Sequence, residues 1–270
     1  MKPVKYFFFI CLFFIACNKD DINPEPEPEP DIDYLDIPSV IRLINLQNMP
    51  RPADSYNYPL YPGMKKWETV PSGFRSTVLQ IPVDILKKMS TQALIQAIWE
   101  YPYNPVIYAN AYENVRYQSV FNSYFLNNNA YKELSGRADA GSELLYRLER
   151  INPFVPFGAA LLELLVSQNV FVTKLNDNEK QKVIEIACQK DSLGQTVPEN
   201  YGLLDKLICS LLIGRTLFAA GYVPFVKAVN DSEIYLFLYH DNFDYGPWNI
   251  YTWIDIPQYI INFGLQYLNE

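Results

Sequence analysis

The run Leu207-Ile208-Cys209-Ser210-Leu211-Leu212-Ile213 constrains the fold more than any other stretch of this chain. It sits inside a helical segment read from about Glu199, behind Pro198, to Ala220, and it is apolar nearly all round. A helix of that kind is stable only when other elements surround it, so the chain needs a layer of helices about this one. Asp205, Lys206 and Arg215 interrupt the segment, which argues against a membrane span.

The surrounding helices are legible from Ile81 onward. Pro82 can take a first-turn position, where its missing N–H costs nothing, and Ile85, Leu86 and Met89 follow at helical spacing. Ser90 reads as an N-cap for Thr91 to Glu100, with Ala93, Leu94, Ala97 and Ile98 on one face. Residues 105–125 hold one or two helices around Val106, Ala109, Val115, Val120 and Phe121. Ala138 to Ile151 is amphipathic through Leu144, Leu145, Leu148 and Ile151. Pro156 opens a helix through Leu161, Leu164 and Leu165, and Asn176 or Asp177 caps one through Val183, Ile184, Ala187 and Cys188. Val223-Pro224-Phe225 echoes Val155-Pro156-Phe157 as a helix start, without a repeat period. Glu233 to Tyr239 reads equally as an isolated strand or a buried helix. Asp241 to Asp255 reads as an aromatic loop, and Pro257 to Leu268 as a last helix. The expected fold is mainly α: one multi-helix domain, an irregular helical array, over 38–270. Its lead-in from Ile37 to Val78 is irregular and rich in Pro, Tyr and Asn.

What precedes the domain has a different chemistry. Lys2 and Lys5 form a positive start, and Tyr6 to Ala16 is an apolar run. As a helix that run rises about 16 Å, roughly half of a bilayer's hydrocarbon core. Small Ala16 and then Cys17 follow, the arrangement of a cleaved export signal. Through Phe14-Ile15-Ala16-Cys17 the chain resembles the bacterial lipoprotein signal, or lipobox, with Phe14 where Leu is more usual. The resemblance implies cleavage before Cys17, and a diacylglyceryl thioether and a fatty amide on that cysteine. Three acyl chains at roughly 0.8 kcal/mol per buried CH₂ hold a protein to membrane lipid almost permanently. Asn18-Lys19-Asp20-Asp21 resembles the export signal that follows the cysteine in surface lipoproteins of Bacteroidetes-type bacteria. Together these imply the outer membrane, facing the cell surface or alternatively the periplasm.

Asn23 to Asp31 alternates Pro with acids. Proline removes donors and fixes φ, and like charges repel, so 17–37 is expected to be a disordered, extended stalk. From Asn18 to Pro38 it reaches about 60 Å when fully extended. The net charge is −8; without Lys2 and Lys5 it is −10, of which residues 17–36 hold −7, leaving −3 for 37–270. The domain is therefore nearly balanced and lacks the basic footprint of a nucleic-acid binder.

A longer resemblance lies in the body. Ile81-Pro82-Val83-Asp84-Ile85-Leu86, Met89 to Ile95, Tyr101-Pro102 and Arg137-Ala138-Asp139-Ala140-Gly141 look like segments of uncharacterised secreted proteins and lipoproteins of Bacteroidetes-type bacteria. It spans roughly residues 78–150 and implies a shared helical scaffold, with no activity attached.

Catalytic patterns are sparse. His240 is the single histidine, beside Asp241 and Asp244, without a Gly-x-Ser-x-Gly elbow, a zinc ligand set or calcium-loop spacing. Glu163 and Arg215 each sit in an apolar helix, where a thin polar stripe (Ala159, Glu163, Ser167) and a structural ion pair explain them. Cys188 and Cys209 fall on consecutive helices at levels offset by about 8 Å, which opposes a disulfide. No dinucleotide fingerprint or phosphate loop is present, so no cofactor is expected. The chain has 21 Tyr, 16 Phe and 4 Trp, many in Pro- and Asn-rich stretches: Tyr56, Tyr58, Tyr61, Tyr101, Tyr103, Tyr245 and Tyr251. Such rings serve a helical core or a binding surface. Tyr245, Trp248, Tyr251 and Trp253 are the candidate binding residues. The favoured expectation is a non-catalytic module for a glycan or an envelope protein. The alternatives are a hydrolase using carboxylates or His240, and a structural envelope protein.

Overall fold

The buried helix Leu203–Ala219 (α11) organises the fold in the computed structural model, which describes residues 50–104, 107, 117–153, 158–196, 201–230, 234–239 and 250–270. Every residue from Leu207 to Leu217 is buried, as an all-round apolar sequence requires. Its N-cap is Gly202, whose backbone N–H donates to Asp205 Oδ2 (3.1 Å). The helix therefore begins after the expected Glu199, because this acid closes the first turn on Gly202.

Against α11 lie Gly158–Val166 (α8), Asn169–Val172 (α9), Asp177–Gly194 (α10), Val223–Asn230 (α12), Ile234–Tyr239 (α13) and Ile250–Leu268 (α14). Asn176 caps α10 through a reciprocal box: it accepts from the Glu179 N–H and its own N–H donates to Glu179. Contacts pair Ala187, Lys190 and Asp191 of α10 with Cys209, Asp205 and Tyr201, so the two segments run antiparallel. The described part of the ambiguous 233–239 stretch, Ile234–Tyr239, is helical as α13, with Ile234, Phe237 and Leu238 buried.

Helix α14 corrects the expected boundary. It begins at Ile250 and carries Pro257 inside, so Tyr251 and Trp253 lie in a helix and not in a loop. A mid-helix proline costs about 3 kcal/mol. Here Ile260 and Ile261 bury against α10 and α11, and that packing holds both halves in one helix. Gly264 permits the approach: a Cβ there would stand 2.9 Å from Ile213 Cγ2 and 3.0 Å from Cys188 Sγ.

The N-terminal half contains Lys65–Thr69 (α1), Ser72–Val78 (α2), Val83–Leu86 (α3), Thr91–Trp99 (α4), Tyr117–Phe125 (α5), Asn129–Gly136 (α6) and Ala140–Leu148 (α7). Ser90 caps α4 by accepting from the Ala93 N–H, as its position implies. The lead-in is less irregular than expected, since α1 and α2 lie in it; both are too short to show a period. Helix α6 was also hidden from periodicity, and its signal is a cap, Asn128 accepting from the Tyr131 N–H. Tyr58, Tyr61 and Tyr101 turn inward, and the Tyr58 hydroxyl donates to the Ala97 carbonyl (3.0 Å). These tyrosines are core residues: the rings seal irregular backbone while each hydroxyl needs only one partner. Arg51 ties the lead-in to α4 by a forked pair with Glu100 (2.8 and 2.9 Å).

The described residues belong to one compact unit, Tyr34–Glu270, and contain no strand. The architecture is mainly α, a single irregular helical array. Among the described residues no single helix is long and apolar enough to cross a membrane. The unit Met1–Asp33, with Cys17 and the acidic stretch, lies outside the described residues.

Candidate binding cleft

A cleft of about 270 Å³ opens where α5, α6, α9, α11 and α13 meet. One turn of α5 places Gln118 and Asn122 on the same face, and the Gln118 amide donates to Asn122 Oδ1 (2.8 Å). From the start of α9 come Gln168, Asn169 and Val170. The amides of Gln118 and Gln168 pair reciprocally across the cleft, at 3.0 and 3.3 Å. Gln168 also donates to the Leu164 carbonyl (2.8 Å), which fixes its plane. Tyr131, Arg215 and Tyr239 complete the wall.

Among the described residues of this lining, Arg215 is the charged one. Its Nε and Nη2 donate to the Leu238 carbonyl (2.9 and 2.6 Å), and Nη1 approaches Ser167 Oγ (3.4 Å). The guanidinium stands 5.7 Å from the centre of the Tyr239 ring, a cation–π distance. Tyr131 rests on Phe121, Phe125 and Phe171 and is almost fully buried. Burial pushes the Tyr131 and Tyr239 phenols above their ordinary range, while the Arg215 charge pulls in the opposite direction. Both hydroxyls therefore stay protonated at neutral pH. The aromatic lip continues on α13, where exposed Tyr235 sits beside Tyr239 with ring centres 5.2 Å apart.

Sequence reasoning named Arg215 and Ser167 but assigned them to packing, and it passed over Gln118, Asn122, Gln168 and Asn169. A polar i, i+4 pair on α5 was the available signal. Tyr245 and Trp248 lie outside the described residues, as does His240. Tyr251 and Trp253 are placed in α14 by backbone alone. Tyr239 is the last described residue before the segment that carries Tyr245 and Trp248.

The buried ionic groups lie elsewhere. Lys190 donates to Glu163 Oε2 (2.9 Å) and stands 3.8 Å from Asp205. Tyr201 donates to Asp191 (3.0 Å) beside them. Ala159, Glu163 and Ser167 form the expected polar stripe, all buried, with Glu163 meeting α10 and Ser167 meeting Arg215. Among the described residues no three His, Cys, Asp or Glu side chains gather as a metal site.

Cys188 and Cys209 are free and buried. The expected offset between them does not occur: α10 ends at Gly194 and α11 starts at Leu203, which brings the two levels together. The two sulfurs are nonetheless not bonded to each other, and each has its own neighbour. Cys209 Sγ donates to the Ala187 carbonyl (3.0 Å), while Cys188 Sγ lies against Gly264 of α14. Burial raises the Cys188 thiol to about 12 and Cys209 well above its usual range. Both thiols are expected to resist a water-soluble disulfide reagent in the folded chain and to react in denaturant. Rapid labelling of either under native conditions would contradict this geometry. Comparison with protein families, with curated protein sequences and with solved structures finds no match to this chain.

Proposed function

We propose that this chain is a lipid-anchored surface protein whose helical domain binds a saccharide through the α5–α9–α13 cleft, without chemistry on it. The observation that carries the reading is the described lining, in which four side-chain amides, two phenols and a guanidinium border one small space. Amides offer a donor and an acceptor on one plane, which suits vicinal hydroxyls. Tyrosine rings add flat contact area at low entropy cost. The volume fits one sugar ring or a chain end, at the lower edge of small-ligand pockets of about 300–1,000 Å³. The anchor and the outer-membrane address rest on Lys2, Lys5, the apolar run and Cys17, and the acidic stretch would hold the domain away from the membrane.

A glycan screen of the purified full-length chain tests the reading. A saccharide hit should weaken about tenfold or more in the variant carrying both Asn122→Ala and Asn169→Ala, the loss of two hydrogen bonds at about 1 kcal/mol each. An unchanged hit in a folded double variant moves the site off this cleft, and Trp248→Ala then examines the aromatic segment. Hydrolysis of a screened saccharide, abolished by His240→Ala, overturns the non-catalytic reading. Mass spectrometry of the mature N-terminus should show lipid on Cys17; an unmodified cysteine removes the anchor.

A further inference from the structure

We propose that the face built from residues 65–88 settles on the anionic bilayer that carries the anchor. This goes beyond the cleft and rests on the lipid-anchor reading above. Helix α2 has no buried residue, although it carries Phe74 and Val78 one turn apart. Its 7 residues are too few to hold a helix in water without a surface to pack on. Phe74 and Val83 are 65 % and 66 % exposed, and Val78 and Ile85 38 % and 39 %. No other stretch of that length among the described residues exposes so many large apolar side chains. Leu79, Ile81, Leu86 and Met89 of the same segment fill the core, which fixes the outward set. An exposed apolar group of this size marks a surface that meets something.

The charge around it is positive. Arg75 ties α2 to α1 by donating to the Val70 carbonyl (2.9 Å) and lying 4.8 Å from the centre of the Trp67 ring, so Lys65 and Lys66 border the face. Lys87 is answered by Glu133 (2.6 Å). Lys65, Lys66 and Lys88 are exposed. Lys65, Lys66, Arg75, Lys87 and Lys88 against Glu68 and Asp84 give 65–88 a net +3, within a domain of −3 whose remainder is therefore −6. An apolar strip rimmed by lysines is the composition that lies in a lipid interface: the rings and branched chains seat among acyl groups while the long stems reach headgroups. Two copies meeting through this face would bring like charges together, which disfavours a second copy as the occupant. The entry of the chain agrees. Asp54 accepts from the Ser90 N–H (2.6 Å) and hydroxyl (3.1 Å), two residues beyond Lys88. The path from Cys17 thus joins the domain beside this face. The acidic stretch, repelled by the same lipid, would keep the docking reversible.

Hydrogen exchange on the full lipidated chain tests this, in vesicles of phosphatidylcholine alone and of equal parts phosphatidylcholine and phosphatidylglycerol. Amides of 72–88 are expected to exchange about tenfold or more slowly on the anionic vesicles, and raised salt should remove the difference. One lysine at an anionic surface favours the bound form about fivefold, so the variant Lys65→Gln, Lys66→Gln, Lys88→Gln should abolish the slowing. The variant Phe74→Ser, Val83→Ser should do the same. These side chains are exposed, so both variants should melt near the parent temperature. Equal exchange on both vesicle types, with the chain still floating with them, overturns docking and leaves the anchor reading standing. So does a slowing that persists in either folded variant, or one that grows with the number of chains per vesicle, which marks a second copy. A chain that floats with neither vesicle overturns the anchor reading and this proposal together.

Discussion

Replacing Lys190 with alanine is expected to destabilise the protein by about 3–5 kcal/mol at neutral pH, because it leaves Glu163 buried without its cation. Lys190 and Glu163 are each about 2 % exposed, and 2.9 Å separates Nζ from Oε2. Burial works to lower the Lys190 ammonium, but the Glu163 carboxylate in contact with it prevails and holds the group above its ordinary value. A raised lysine stabilises the fold fully below its unfolded value of 10.5, and that contribution is lost as pH rises through the folded value. Glu163 is raised, chiefly by burial. An acid raised in the fold favours the folded state at low pH, where it is protonated, and opposes it as pH rises through the folded value. The penalty in Lys190→Ala should therefore shrink as pH falls toward the carboxylate range near 4.5, since a neutral Glu163 no longer needs the ammonium. The double variant Glu163→Leu with Lys190→Met should recover most of the loss, because no unpaired charge remains. Urea denaturation of the parent, single and double variants at acid and neutral pH checks all of this. A single-variant loss under about 1 kcal/mol at neutral pH would place the pair among weak surface bridges, against its burial.

Phe125→Ala is expected to cost about 3–5 kcal/mol, as large-to-small changes at packed aromatic sites do. Phe125 is fully buried, with ring centres of Phe121, Tyr101 and Tyr131 at 4.7, 5.8 and 6.2 Å. The ring thus joins the lead-in, through Tyr101 and the Tyr58 ring 5.8 Å beyond it, to the cleft wall, through Tyr131. Truncation should also weaken ligand binding, because Tyr131 loses the surface that fixes its position. Phe125→Leu keeps most of the volume and should show a smaller loss on both readouts. Thermal melting beside calorimetry separates the two effects. A stable Phe125→Ala chain would mean that the aromatic packing between α5 and α6 contributes little.

The local part of this fold was legible because caps and apolar spacing act within a few residues. Ser90, Asn176 and the run Leu207–Ile213 each stated their role before any contact was known. Helix α6 and the lead-in helices escaped because each buries too few side chains to show a period. The boundary of α14 escaped for a different reason: Pro257 is locally a stop signal, and only packing of Ile260 and Ile261 against two other helices overrides it.

The cleft belongs to the second kind of information. Gln118, Gln168 and Arg215 are far apart in the chain and individually ordinary, and 50 residues separate the two glutamines that pair across it. Their meaning depends on the crossing of α5 with α9 and on the way α13 folds over α11 to present Leu238 to the guanidinium. The core periodicity and caps of this protein were set by short-range rules written along the chain. Which polar side chains share a wall, and what each buried thiol meets, depend on helix packing angles and close approaches such as that at Gly264, because those positions are fixed only when distant segments bury each other.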